Sequence, residues 1–220
     1  MRPKSVLRLV PLFLRLFTIA ALSAGAFWLL LRYWLRGPCP YGQRWILDNP
    51  LRWLVHPLGR TLDVFPLSPG GRVLELGPGS GYFSVEAARR LGPEGGLFCL
   101  DLQPEMTRAL QRRLRKKGVR NAQVAVASAL DLPLDNDSLD GAFLVTVLGE
   151  LPDRRRALAE LRRVLKERGV LSITESLPDP DYQRESSVRR ECEAGGFLFQ
   201  ELVRRPLGFT MNFVALKATG

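Results

Sequence analysis

Glu75-Leu76-Gly77-Pro78-Gly79-Ser80-Gly81 is the stretch on which the fold turns. Val73-Leu74-Glu75-Leu76 leads into it as an apolar strand, and Phe83 to Leu91 follows as a helix, so three glycines stand where a strand hands over to a helix. Glycine has no Cβ, which lets backbone approach a ligand closely. The start of the helix offers unpaired N–H groups to a carboxylate or phosphate. Twenty residues past Gly81, at the end of a second apolar run from Leu97 to Leu100, stands Asp101. A carboxylate there can accept hydrogen bonds from both hydroxyls of a ribose.

Outward from this point, short apolar runs alternate with segments of helical period, the pattern of βαβ units and a parallel sheet. Met106, Leu110 and Leu114 share one helical face; Val124 to Val126 and Gly141 to Val147 read as the third and fourth strands. Leu158, Leu161 and Leu165 form a stripe on a helix over Ala157 to Leu165, and Gly169 to Thr174 is a fifth strand. Phe197 to Val203 and Met211 to Lys217 bring the expected number to seven.

A glycine loop with a downstream acid also suits a dinucleotide, which leaves a nicotinamide-dependent oxidoreductase as an alternative. The spacing here is G-x-G-x-G, however, and Glu75 precedes the first glycine by two residues. No Tyr-x-x-x-Lys donor pair is present. The stretch resembles the first motif of class I S-adenosylmethionine-dependent methyltransferases. The likeness continues through Ala127-Ser128-Ala129-Leu130-Asp131-Leu132-Pro133-Leu134, Asp137-Ser138-Leu139-Asp140, Leu148-Gly149-Glu150-Leu151-Pro152-Asp153 and Leu161 to Gly169. These are similar to segments of the group that includes ubiquinone/menaquinone-biosynthesis enzymes.

The resemblance implies an α/β fold: a Rossmann-like, seven-stranded, mostly parallel sheet with helices on both faces and an antiparallel C-terminal strand. It implies S-adenosyl-L-methionine as cofactor, held by Glu75, Gly77, Pro78, Gly79, Gly81, Asp101, Leu102, Ser128 and Ala129. Two positions depart from the group. Ser128 stands where many relatives carry an Asp facing the adenine amino group, and Glu167-Arg168 replace a Pro-Gly turn.

Methyl transfer needs mainly an in-line acceptor and the exclusion of water, so a dedicated catalytic residue is not obligatory. Glu150, just past the fourth strand, is the candidate general base; the competing reading pairs it with Arg154 or Arg155 on the next helix. Glu175, at the end of the fifth strand, divides the same way between base and salt bridge. His56, the lone imidazole, reads as structural. Tyr82 packs over the cofactor or in the core, and Cys99 reads as a small buried hydrophobe. Three cysteines without CxxC spacing and a single histidine give no metal site.

The charge of +10 is unevenly placed: residues 1–60 hold 9 Lys and Arg against 1 Asp, and the rest hold 23 against 21 acids. A near-neutral domain gives no reason to expect a nucleic-acid partner. The basic run Arg112, Arg113, Arg115, Lys116, Lys117 and Arg120 reads as a solvated helix face, with a membrane contact as the sharper alternative. Leu16 to Leu31 carries no charge and lies between Arg15 and Arg32, with Trp28, Tyr33 and Trp34 toward one end. Residues 1–36 therefore read as a retained membrane anchor, either spanning or lying in the interface. Residues 37–70 form a Pro-rich connector expected to cover the pocket, and 71–220 the methyltransferase domain.

Because S-adenosylmethionine is a cytosolic metabolite, the domain is expected to face the cytoplasm from the membrane. The expected acceptor is small or lipophilic: a quinone precursor, a phospholipid amine or another metabolite. A tethered protein that binds the cofactor without turnover is the second alternative. Nothing in the sequence fixes the acceptor atom or the oligomeric state.

Overall fold

The computed structural model describes residues 57–217, together with residues 18, 19, 22, 23, 25 and 42. Residues 37–220 form one compact unit and residues 1–36 a second. Most of the expected anchor, and His56 with it, lies outside the described residues. Among the described residues no helix is long and apolar enough to cross a membrane.

After a short helix α1 (Leu58–Leu62), the chain runs β1 (Arg72–Leu76), α2 (Ser84–Leu91), β2 (Gly96–Asp101), α3 (Pro104–Lys116), β3 (Ala122–Val126) and β4 (Leu139–Val145). It continues through a 3-10 turn (Leu148–Glu150), α4 (Arg154–Val164), β5 (Leu165–Ser176), α5 (Glu185–Ala194), β6 (Phe197–Arg205) and β7 (Gly208–Ala215). The sheet order is β3-β2-β1-β4-β5-β7-β6, with β7 antiparallel to both neighbours. This is the expected seven-stranded α/β fold.

Strand alternation sorts the core into two layers. Val73, Leu97, Cys99, Phe143 and Val145 face α1, α2 and α3, where Leu91, Leu110 and Leu114 are buried. Leu74, Leu76, Phe98, Leu100 and Leu144 face the other way, against Leu158 and Leu161 of α4 and Val188 and Cys192 of α5. Each fully buried leucine contributes roughly 1.5–3 kcal/mol.

Several boundaries move. The fourth strand is Leu139–Val145 rather than 141–147, because Thr146 takes φ 54° and ends it. The fifth begins at Leu165, directly after α4. Helix α5 has no counterpart among the sequence expectations.

The described part of the connector packs on the sheet: Phe65 stacks on Phe143 at 4.6 Å, and Pro66 occupies the place of a Cβ on Gly141. Asn212 donates to the Val64 carbonyl at 2.8 Å. The apolar side chains of residues 57–70 complete one core layer, which is why they turn inward.

Between β5 and β7, side chains add a second set of bonds to the backbone ladder. Ser172 donates to Asn212, and Thr174 and Thr210 share a hydrogen bond of 2.7 Å, all four buried.

Candidate active site

The strand order reverses between β1 and β4, and a crevice opens beyond the carboxyl ends of the strands there, as expected for an open α/β sheet. Four consecutive strand ends build it: Gly77, Pro78 and Gly79 after β1, Asp101 and Leu102 after β2, Ser128 and Ala129 after β3, and Thr146, Val147 and Glu150 after β4. With its open mouth it encloses about 930 Å³.

Asp101 is held from two sides. The Gly79 N–H donates to Oδ2 at 3.1 Å, and the Gln103 N–H donates to Oδ1 at 2.9 Å. Burial raises its carboxyl above the usual range, and these two N–H groups pull it back. A carboxylate has about four acceptor positions, so two remain for hydroxyl donors. Beside it, Leu102 is 60% exposed, an apolar platform suited to the face of a base.

Two of the expected cofactor residues do not line the crevice. Glu75 lies on the α2 side of β1, 3% exposed, with Cys99 Sγ donating to its Oε2 at 3.7 Å. Its position in the strand alternation carries the side chain beneath the loop. Burial, and then Glu75, push the Cys99 thiol well up, so that Cys99 is the inert buried residue expected.

Gly81 is turned toward helix α3: with φ 86°, a Cβ would stand 2.3 Å from Leu110. Gly77, at φ 67°, would place a Cβ 2.5 Å from Val147. Both glycines thus answer first to backbone conformation and protein neighbours, and only Gly77 also borders the crevice. Tyr82 packs edge-on against Phe83 at 4.8 Å and does not line the crevice.

Ser128 spends its hydroxyl on its own turn, accepting from the Leu130 N–H at 3.1 Å. The following loop is held by Arg163, which donates to the carbonyls of Leu132 and Leu134 at 2.8 Å each and pairs with Glu160 at 2.7 Å. Those contacts account for Arg163 within the Leu161 to Gly169 segment.

Glu150 faces the crevice. Burial, together with Asp179, Asp181, Asp101 and Glu175, pushes its carboxyl up to about 9. Arg154, the expected salt-bridge partner, is turned to Gln183 at 2.9 Å and Glu191 at 3.1 Å. Glu175 is 1% exposed, and burial pushes it up to about 8 although the Gln183 N–H donates to it.

Sequence reasoning missed Thr146 and the loop carrying Asp179, Asp181 and Gln183. The signal was Gly149: the Asp181 carbonyl lies 1.9 Å from where its Cβ would be.

Residues 73–169 match the model of the methyltransferase domain family. Residues 73–169 belong to that family. The sheet order, the crevice at the β1/β4 reversal and the paired tether on Asp101 agree with this assignment, and S-adenosylmethionine is the cofactor of such domains. The donor set fits it, with acceptor capacity at Asp101 for a ribose and Leu102 exposed for a base.

The methyltransferase domain is 33% identical over 141 residues to the ubiquinone/menaquinone biosynthesis C-methyltransferase of Vibrio campbellii, covering 61% of this chain and 54% of that protein. It is 27% identical over 140 residues to the arsenite methyltransferase of Halobacterium salinarum, covering 62% of this chain and 36% of that one. This chain thus spans about half or less of the length of these relatives. A crystal structure of an S-adenosylmethionine-dependent methyltransferase from Aquifex aeolicus shares the fold, with a TM-score of 0.76 at 24% identity, over 80% of this chain and 99% of that one.

Proposed function

We propose that the protein is an S-adenosylmethionine-dependent methyltransferase, anchored to a membrane by residues 1–36 and facing the cytoplasm, that methylates a small or lipophilic acceptor. The observation carrying this reading is the crevice itself, where an anchored Asp101 and the Gly77-Pro78-Gly79 backbone meet at the switch point of the sheet.

The cofactor supplies an already activated methyl group. The chain's own tasks are to hold the ribose at Asp101, to seat the base between Leu102 and Ala129, and to exclude water around the acceptor at Glu150. The membrane part is supported by the uncharged run Leu16 to Leu31 between Arg15 and Arg32, which would bring the crevice to where lipophilic molecules partition.

Titration calorimetry with S-adenosylhomocysteine and with NADH tests the enzyme class. Heat with the first and none with the second is expected, and the reverse would overturn it. For the membrane part, protease added to sealed vesicles should digest the domain from the cytoplasmic side only. Label from methyl-tritiated cofactor should appear in the organic phase of a lipid extract; label confined to water-soluble products would remove the lipophilic acceptor.

A further inference from the structure

Seven cations and no acid lie between Met106 and Leu130. The rest of residues 61–220 holds 16 Lys and Arg against 21 acids, so the domain's positive charge is concentrated on this one stretch. Helix α3 turns it outward. Met106, Thr107, Leu110 and Leu114 are buried, and Arg108, Arg112, Arg115 and Lys116 recur at three- and four-residue spacing along the exposed side. Arg108 pairs with Glu105 at 2.7 Å, and Arg113 packs back beside Gly81. Arg112, Arg115, Lys116, Lys117 and Arg120 take part in no ion pair among the described residues.

A second helix extends the face. Arg89, in the last turn of α2, meets Lys117 and Arg120 around a hollow that Gly92, Gly95 and Gly96 also line. Glu94, the one acid in the turn between α2 and β2, does not line it. A cation near a helix C-terminus is ordinary, because the helix dipole favours it. Arg112 lies before the last turn of α3 and Arg120 beyond its end, so the dipole does not account for them. Like charges gathered without acids repel one another, and an anionic partner relieves that repulsion.

We propose that this face, Arg112 to Arg120 together with Arg89, seats the protein on a bilayer surface bearing anionic phospholipid headgroups. The inference goes beyond the proposed function, in which membrane attachment falls to residues 1–36 alone. Charge complementarity carries it: each Lys or Arg close to an anionic leaflet strengthens association roughly five-fold. The headgroups of a fluid leaflet impose no register, which suits cations that no acid holds in place. A single-stranded nucleic acid fits less well, because no aromatic side chain stands between Met106 and Leu130 to stack on a base. Helix α3 also starts at the crevice, which Gln103 and Met106 line, so the face and the crevice are separated by no more than the helix's own length, about 20 Å.

The test footprints the exposed lysines. The full chain is mixed with vesicles of phosphatidylcholine, or of two parts phosphatidylcholine to one of phosphatidylglycerol, and acetylated briefly; mass spectrometry then gives the rate at each lysine. Acetylation of Lys116 and Lys117 is expected to be at least about five-fold slower on the anionic vesicles than on the neutral ones, with the difference lost at high salt. Arg112→Glu, Arg115→Glu and Arg120→Glu together should abolish the protection. Arg155→Glu, Arg156→Glu and Arg190→Glu, the same change of charge on α4 and α5, should leave it in place.

Equal rates on the two kinds of vesicle overturn the proposal, and so does protection that survives the three changes on and after α3. Protection by RNA where anionic vesicles give none would assign the face to a nucleic acid instead. If the triple variant does not fold, Arg112→Gln with Arg120→Gln decides, by weakening the protection or leaving it whole. A chain that ignores phosphatidylcholine vesicles altogether would remove the anchor at residues 1–36, and the anionic vesicles would then be judged against the chain free in solution.

Discussion

Asp101 joins three parts of the molecule through one carboxylate: it ends β2, accepts from the glycine loop after β1 and accepts from the residue that opens α3. Replacing it with alanine removes two prospective bonds to the ribose, and a hydrogen bond to a charged group contributes roughly 1.5–3 kcal/mol. Asp101→Ala should therefore weaken S-adenosylhomocysteine binding by roughly thirty-fold or more in calorimetry, with a smaller loss of thermal stability.

Thr146 is the second residue with a cost attached. A β-branched side chain at φ 54° is strained by on the order of 1–3 kcal/mol. Thr146→Gly is expected to raise the melting temperature by a few degrees, and a lowered value would show that the side chain's contacts outweigh the backbone strain. Asp101 was legible because its distance from the glycines and its place after an apolar run are both written in the sequence. Glu75 was not: sequence position puts it beside the loop, whereas its direction depends on which face of the sheet each alternate residue meets.

Among the elements, the strands and helices through β5 could be read because apolar residues recur at period 2 or near 3.6. Helix α5 escaped because Val188 and Cys192 are its only buried side chains, too few to mark a face among charged neighbours. The preceding loop escaped for a related reason, since its contact is made by backbone. Asp181 packs on Gly149 through a carbonyl, and no side-chain pattern announces it. Gly149→Ala must push that carbonyl away and should cost about 2–4 kcal/mol in denaturant unfolding. The same change should disturb acceptor-dependent activity more than cofactor binding, because the displaced loop lies beside Glu150 rather than Asp101.

At the level of the whole molecule, burying two carboxyls in one acidic quarter links stability to pH. The folded protein keeps these protons up to about 9 at Glu150 and about 8 at Glu175, against an ordinary value of 4.5. Their protonated forms support the fold in full below the ordinary value, and that support fades as pH rises through the folded values. Melting temperature should thus fall between about pH 4.5 and about pH 9, and Glu175→Gln should flatten the decline. A steeper decline in the variant would contradict this account.

The paired hydroxyls and amide between β5 and β7 have a consequence for how such a domain can diversify. A shift of one residue along that seam would break both buried side-chain pairs at once, so the seam behaves like meshed gear teeth that permit a single engagement. Any insertion or deletion between Leu177 and Arg184 must then be absorbed locally, without sliding the strands that frame the crevice. Acceptor preference can drift in that segment while the nucleoside seat keeps its shape.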